Sequence, residues 1–342
     1  MSTSKPKVVA SMLLTMAVLV GGPWRALHAA GQESGISQES APAARDKEEE
    51  NAISPGDRST VENEWYVPTQ DKKASLYVWE VGRGEPVIAV HGGFGAEHSY
   101  LYDAFRGLTD RFHVIFYDQR GSLRSPCKPE YISVDKHVDD IEALRRALKL
   151  ERVTLLGHSM GTYLTMAYMA RYAQHVANVV LVSALPADTN APNLGQGGAK
   201  KLMERPEVER ELSKVRQSGV QGDKLETQLW RVRFASVNLF HVERWRQMKG
   251  GQAFYNGTAG QAAAKTLPEK WNFADVLRKH EYPVTIIRGD HDFLDSGKYY
   301  SELAKAGKHL TDVVIKDAGH NIWVDEPKAF HEALLRGLTA KP

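Results

Sequence analysis

Val153-Thr154-Leu155-Leu156-Gly157-His158-Ser159-Met160-Gly161, running on through Tyr172, is the stretch that decides the fold. Its first four residues form an apolar run of strand length. Met160 to Tyr172 has helix-forming composition. Between the two, Ser159 stands in a tight turn with small residues on either side. Buried strand, sharp turn, helix is the setting of a nucleophile elbow. Gly157 and Gly161 lack the Cβ that would block close packing of helix on strand. The turn is expected to lift the Ser159 hydroxyl above the sheet and to point the Met160 amide at the same space. A chance Gly-x-Ser-x-Gly in a loop would lack the flanking strand and helix.

Outward from this turn the chain alternates strands and helices. Ala74 to Val81 alternates like an early strand. Pro86 to Val90 reads as a buried strand ending at His91-Gly92-Gly93-Phe94-Gly95. His113 to Tyr117 ends at Asp118-Gln119-Arg120-Gly121. Val134, Val138, Ile141, Leu144 and Leu148 recur at helical spacing. Further strands are expected at Val179 to Val182, at Val284 to Arg288 before Gly289-Asp290-His291-Asp292, and at Asp312 to Lys316 before Gly319-His320. Pro327 to Leu338 closes the chain as a helix, with Pro327 suited to its first turn. Such alternation implies an α/β fold whose mostly parallel sheet is covered by helices on both faces. Chemistry in such sheets gathers at the carboxyl ends of strands, where each of these motifs lies. Residues 186–278 break the alternation. They are charged, helical in composition and hold Trp230, Phe240, Trp245, Phe254, Tyr255 and Trp271, as a helical cap inserted between two strands would. The core is then 61–185 with 279–342.

The N-terminal segment is of another kind. Lys5 and Lys7 precede an apolar stretch, Val8 to Val20, that is short for a bilayer span, and Ala26-Leu27-His28-Ala29-Ala30 offers small residues for cleavage. Residues 1–30 therefore read as a signal peptide of an exported (periplasmic or secreted) protein, the alternative being an uncleaved anchor. Residues 31–60 are polar and Gly/Ser/Pro-rich, the composition of a disordered linker.

The chain has 44 basic and 42 acidic residues; without Lys5, Lys7 and Arg25 the balance is 41 to 42, which favours neither nucleic acid nor an anionic membrane. The single cysteine, Cys127, excludes an internal disulfide and any cysteine-based metal site. His331-Glu332 lacks the second histidine of a zinc-protease helix. Gly93-Phe94-Gly95 is followed by Ala96-Glu97-His98, which fits neither a dinucleotide fingerprint nor a P-loop. No metal and no cofactor is expected. The expected partner is a small molecule or short peptide as substrate, with no nucleic acid and no stable membrane insertion of the mature chain.

With the elbow, the glycine loop and the two late loops in hand, the chain from about Trp65 onward resembles the α/β-hydrolase superfamily. Within it, the chain looks most like the proline iminopeptidase group of serine peptidases. His91-Gly92-Gly93-Phe94-Gly95 is similar to that group's His-Gly-Gly-Pro-Gly. Asp118-Gln119-Arg120-Gly121-Ser122-Leu123-Arg124-Ser125 is similar to its Asp-Gln-Arg-Gly-Ser-Gly-Arg-Ser. Phe94 replaces the group's proline, and Met160 stands where those peptidases commonly carry Trp or Tyr. One branch places an acid directly after the triad aspartate; here that position is Phe293. Glu204, Glu207, Glu226 and Glu243 are the candidates for gripping a substrate amine, their alternative being a solvated helix face.

A serine hydroxyl needs a base in contact with it. His320, just past the last strand, is the candidate, and a base needs an acid to orient it. Asp290, Asp292 and Asp295 compete by position; the resemblance selects Asp292, because family members place the acid three residues after a glycine like Gly289. The order Ser159, Asp292, His320 is that of α/β-hydrolases. Met160 N–H and Gly93 N–H are the expected oxyanion donors, with Phe94 N–H the alternative to Gly93. Asp118, Arg120 and Ser125 are expected to brace loops, Arg120 pairing with Asp118 or a neighbouring carboxylate. The resemblance implies a serine hydrolase working through an acyl-enzyme: an aminopeptidase, or else a small-molecule carboxylesterase. A non-catalytic ligand-binding protein on the same fold is the reading from a different class.

Overall fold

The computed structural model describes residues 62–191, 198–248, 255–294 and 297–341. The expected signal peptide and linker, and Phe254 and Asp295, lie outside the described residues. Eight strands form one sheet: β1 (Glu62–Pro68), β2 (Ser75–Gly82), β3 (Glu85–Val90), β4 (Phe112–Tyr117), β5 (Val153–His158), β6 (Val176–Val182), β7 (Val284–Gly289) and β8 (Leu310–Ile315). Their order is β1-β2-β4-β3-β5-β6-β7-β8. β1 pairs with β2 and β2 with β4 antiparallel; every other pairing is parallel. The α/β reading from the alternating pattern therefore holds.

Ten α-helices accompany the sheet among the described residues. They are α1 (Val134–Ala147), α2 (Met160–Arg171), α3 (Gly198–Met203), α4 (Pro206–Arg216), α5 (Gly222–Asn238), α6 (Gly257–Ala264), α7 (Ala274–Lys279), α8 (Tyr299–Ala306), α9 (Ile322–Asp325) and α10 (Pro327–Leu338). α1 begins where Ser133 accepts a hydrogen bond from Lys136 N, a capping contact that satisfies one free amide of the first turn.

The period of two along each strand divides the core. Ile88, Val90, Ile115, Leu155, Leu181 and Ile286 face one side, with Ile141 and Leu144 of α1 and Leu164 of α2. Val87, Ala89, Val114, Leu156, Val182 and Ile287 face the other, with Leu101, Phe105, and Phe330 and Leu334 of α10. Each fully buried Leu or Ile of this kind contributes about 1.5–3 kcal/mol. The helices between β6 and β7 do not all behave alike. α4 and α5 join the second core through Val208, Leu212, Leu229 and Val232, around the buried Trp245. α6 instead docks on the loop after β3, where Asn256 N donates to Gly95 O at 2.8 Å. A Cβ on Gly95, which has φ +84°, would lie 2.3 Å from Asn256 O, so only glycine allows this approach. Trp271 packs edge-on against Tyr163 of α2 and donates to Pro186 O, so it belongs to the sheet's own core.

Candidate active site

Ser159 sits between β5 and α2 with φ +54° and ψ −126°, a conformation L-residues rarely adopt. Its surroundings hold it there. Ser159 N donates to Val182 O on the neighbouring strand at 3.1 Å, and Ser159 O accepts from Thr162 N and Thr162 Oγ1. A Cβ on Gly161 would lie 2.2 Å from Val90 O, and one on Gly157 would lie 2.5 Å from Thr165 Oγ1. One on Gly92 would lie 2.6 Å from Ser159 Cβ. The glycines around the serine are thus required by close approach of backbone, as the flanking pattern suggests. Ser159 Oγ is buried and makes no hydrogen bond to another protein group. That is costly for a hydroxyl in the interior, by about 1–3 kcal/mol.

His320 follows β8 through Asp317, which has φ +56°, and Gly319. Two devices set this loop. A Cβ on Gly289 would lie 2.1 Å from Ala318 O, so β7 and the loop after β8 touch backbone to backbone. Asp325 accepts from Gly319 N at 2.8 Å, Phe240 N at 2.8 Å and His241 N at 2.9 Å, tying the loop to the end of α5. Burial pushes the Asp325 carboxyl upward, and these three amides pull it back. Nothing in the sequence marks Asp325 for this role; only the fold brings the three amides to it.

The imidazole of His320 turns Nδ1 to Asp292, at 2.9 Å from Oδ1 and 3.0 Å from Oδ2. Both side chains are almost fully buried. Leu294 N donates to Asp292 Oδ1 at 2.9 Å, which fixes the carboxylate. Asp290 points elsewhere, to His291 Nδ1 at 2.7 Å and Ala318 N at 3.3 Å. Of the aspartates in this loop that are described, Asp292 is the one joined to His320. The carbonyl of His320 accepts from Ser183 Oγ at 2.7 Å, and its ring centre lies 4.7 Å from that of His158, the residue preceding Ser159. The loop carrying His320 is therefore seated on the turn that carries Ser159.

Met160 opens α2, so its N–H has no acceptor within the helix. Gly93 has φ +67°, and its carbonyl accepts from Ala96 N in a tight turn. The side chain of Phe94 is buried in the core and stacks on His137 at 5.6 Å between ring centres. Phe293, which follows Asp292, lies with its ring centre 4.6 Å from that of His320. It packs with Ala199, Met203, Phe234 and Val237 from α3 and α5, which makes an apolar wall beside the imidazole.

The Asp-Gln-Arg-Gly motif does brace loops, by a different pairing from the one between Arg120 and Asp118. Arg120 forks onto Asp140 at 2.6 and 2.7 Å and also reaches Asp71 and Tyr131 O. A planar guanidinium matches a carboxylate two bonds at a time, which Asp140 on α1 offers. Asp118 instead holds His98 Nδ1 at 2.7 Å and Arg124 N at 2.9 Å. Ser125 Oγ donates to Asp118 O and accepts from Tyr77 N. The four glutamates considered as amine ligands face solvent: Glu204 pairs with Lys200, Glu207 with Arg210 and Glu243 with His241, and Glu226 is exposed on α5.

A family model described as the alpha/beta hydrolase fold matches residues 85–327. The chain belongs to the α/β-hydrolase fold family. Among curated proteins, it is 30% identical over 258 residues to the bifunctional esterase/perhydrolase DCH of Acinetobacter calcoaceticus, covering 72% of this chain and 90% of that one. It is 26% identical to the proline iminopeptidase of Heyndrickxia coagulans, covering 73% of this chain and 89% of that one. Among solved structures, a proline iminopeptidase-related protein of Thermus thermophilus superposes with a TM-score of 0.62 at 26% identity, covering 81% of this chain and 97% of that one. This α/β-hydrolase therefore has both peptidase and esterase relatives, and proline iminopeptidases are among them. No described helix is long and apolar enough to cross a membrane.

Proposed function

We propose that this α/β-hydrolase is an exported serine hydrolase that cleaves carboxylic esters or amides of small molecules or short peptides. Ser159 Oγ attacks the carbonyl carbon and gives its proton to Nε2 of His320. Asp292, held to Nδ1, fixes the tautomer and stabilises the imidazolium. The developing oxyanion lies against the amides of Met160 and Gly93. His320 then protonates the leaving alcohol or amine. Water attacks the acyl group and gives a proton to the same imidazole, releasing the acid and restoring Ser159. The observation that carries the reading is a buried, unpaired hydroxyl on a strained elbow, with a loop packed on that elbow whose histidine is held at Nδ1 by a buried aspartate.

Between the two subclasses, the wall beside His320 favours the esterase. An aminopeptidase must hold an ammonium, and this wall is Phe293 with Phe234, Met203 and Val237, while the candidate glutamates face water. The relatives named as proline iminopeptidases keep the aminopeptidase as the second reading. The helices between β6 and β7 would act as the cap, and residues 1–30 as the export signal.

A fluorophosphonate probe should label the wild-type chain and fail to label Ser159→Ala. An unlabelled wild type would point to the non-catalytic binding protein. Turnover of short nitrophenyl esters well above that of proline naphthylamide is expected; the reverse preference would restore the aminopeptidase. Export is checked by N-terminal sequencing of the chain recovered outside the cytoplasm, with cleavage after Ala29 or Ala30 expected.

A further inference from the structure

Tyr100 and His158 take no part in the steps above, yet they lie between the two loops that those steps require. Tyr100 is on the 3-10 turn Ser99–Phe105 that follows the glycine loop. Its hydroxyl lies 2.7 Å from Gly92 N and 2.8 Å from His158 Nδ1. An amide can only donate, so the Tyr100 oxygen accepts from Gly92. Its own proton is then free to go to His158 Nδ1, and the other ring nitrogen fixes that role, because the carbonyl facing Nε2 can only accept. That leaves the ring proton on Nε2, which lies 3.3 Å from the carbonyl oxygen of His320. The same carbonyl takes the Ser183 hydroxyl. A single directed chain of hydrogen bonds therefore runs from the backbone of the oxyanion loop, through Tyr100 and His158, to the backbone of the residue that would serve as the base.

The setting suits a fixed spacer. His158 and Tyr100 are buried, and the His158 ring is packed edge-on against Trp323 at 5.1 Å and Tyr100 at 5.4 Å. Burial first, and the neighbouring imidazole of His320 second, hold its pKa well below that of a free histidine, which keeps it in the neutral form that this chain of bonds needs. The charged or titrating groups acting on it are His320 and His91.

We propose that Tyr100 and His158 are positioning residues that set the distance between the oxyanion loop and the His320 loop. They touch neither the substrate nor the reacting atoms. The inference rests on the serine hydrolase reading. It predicts that losing either link misaligns both loops at once, an effect on the transition state more than on substrate binding.

The test is a double-mutant cycle on the full chain with a nitrophenyl ester, using Tyr100→Phe, His158→Phe and the double variant. Each single variant should lower kcat about tenfold, as loss of a buried hydrogen bond implies, with KM changed less than about threefold. The double variant should be no slower than the worse single variant, because both cut one chain. Multiplying effects, or a Tyr100→Phe rate within about twofold of wild type, would overturn the proposal. Nitrogen-15 NMR of the imidazoles in wild type, with His158 assigned by its loss in His158→Phe, gives a readout independent of activity. A neutral ring protonated at Nε2 is expected, and protonation at Nδ1 refutes the chain of bonds. Failure of wild type to react with a fluorophosphonate would take down the hydrolase reading and this inference together. Normal labelling with undiminished variants would take down this inference alone.

Discussion

His320–Asp292 and His98–Asp118 are two buried histidine–aspartate pairs of nearly the same geometry, at 2.9 Å and 2.7 Å, in one molecule. They differ in what surrounds them. Asp118 also accepts from His98 N and Arg124 N, and the His98 ring lies among Tyr77, Trp79 and Phe116 near the sheet edge made by β1 and β2. Every bond around it is spent on holding loops. Glu97, which lies close enough to form a three-ligand cluster with this pair, is likewise bonded to Ser99 N and Oγ. His320 instead packs on the ring of His158, whose successor in the chain is a strained serine with its hydroxyl left without a protein partner. A third pair, His291–Asp290, is partly exposed and braces the loop after β8. A histidine held by an aspartate is thus a common structural device. It becomes a catalytic proposal only where the loop that carries it packs on a strained serine with an unpaired hydroxyl.

The largest expected effect breaks the comparison directly. Asp292→Asn should lower kcat by about 10⁴-fold while the protein melts near the wild-type temperature. Asp118→Asn should lower the melting temperature while the folded enzyme keeps its rate within about threefold. Steady-state kinetics beside thermal melts reads both, and equal effects of the two would erase the distinction drawn between the pairs.

Next in size is the ionic brace. Arg120→Met leaves Asp140 buried without its fork, at a cost of about 3–5 kcal/mol. Urea titration should show that loss, and a change below about 1 kcal/mol would mean that the pair stabilises little.

Smaller, and readable by pH, is the cost of buried neutral imidazoles. Burial holds His91 down to about 4 and His137 down to about 3. Unfolded histidines titrate near 6.5, so below that pH the unfolded chain takes up protons that the native state refuses. Stability should therefore fall as pH drops from about 6.5 toward about 3. For His137 alone the loss between pH 7.5 and pH 5 is about 2 kcal/mol. His137→Phe keeps a ring against Phe94 and removes that titration, so its melting temperature should drop less on acidification than that of wild type. An unchanged drop would show that His137 is not held neutral.

The smallest effect completes the series: Asp290→Asn should turn over within about threefold of wild type, since its carboxylate meets His291 and Ala318 N and not His320.

Much of the fold is legible as pattern. The apolar runs of β3 through β8 and the closing helix α10 are readable because buried strands and amphipathic helices carry their period in the sequence. β1 does not read as a strand. Val67 is the one buried residue of β1, and most of the strand is exposed at a sheet edge, so its sequence carries no apolar alternation. The elbow is legible because close backbone approach excludes side chains and leaves glycine at fixed positions. The partners of Arg120, the role of Asp325 and the link through Tyr100 are not. They join residues 20 to 85 positions apart through side-chain geometry that no local pattern records.

By itself, the sequence determined the layered α/β architecture and the strained turn carrying Ser159, because alternation and the steric demand for glycine act between near neighbours along the chain. The tertiary structure alone decided which carboxylates Arg120 and His98 meet, and that an apolar wall stands beside His320. Those choices depend on where loops from separate strands converge, and convergence is a property of packing.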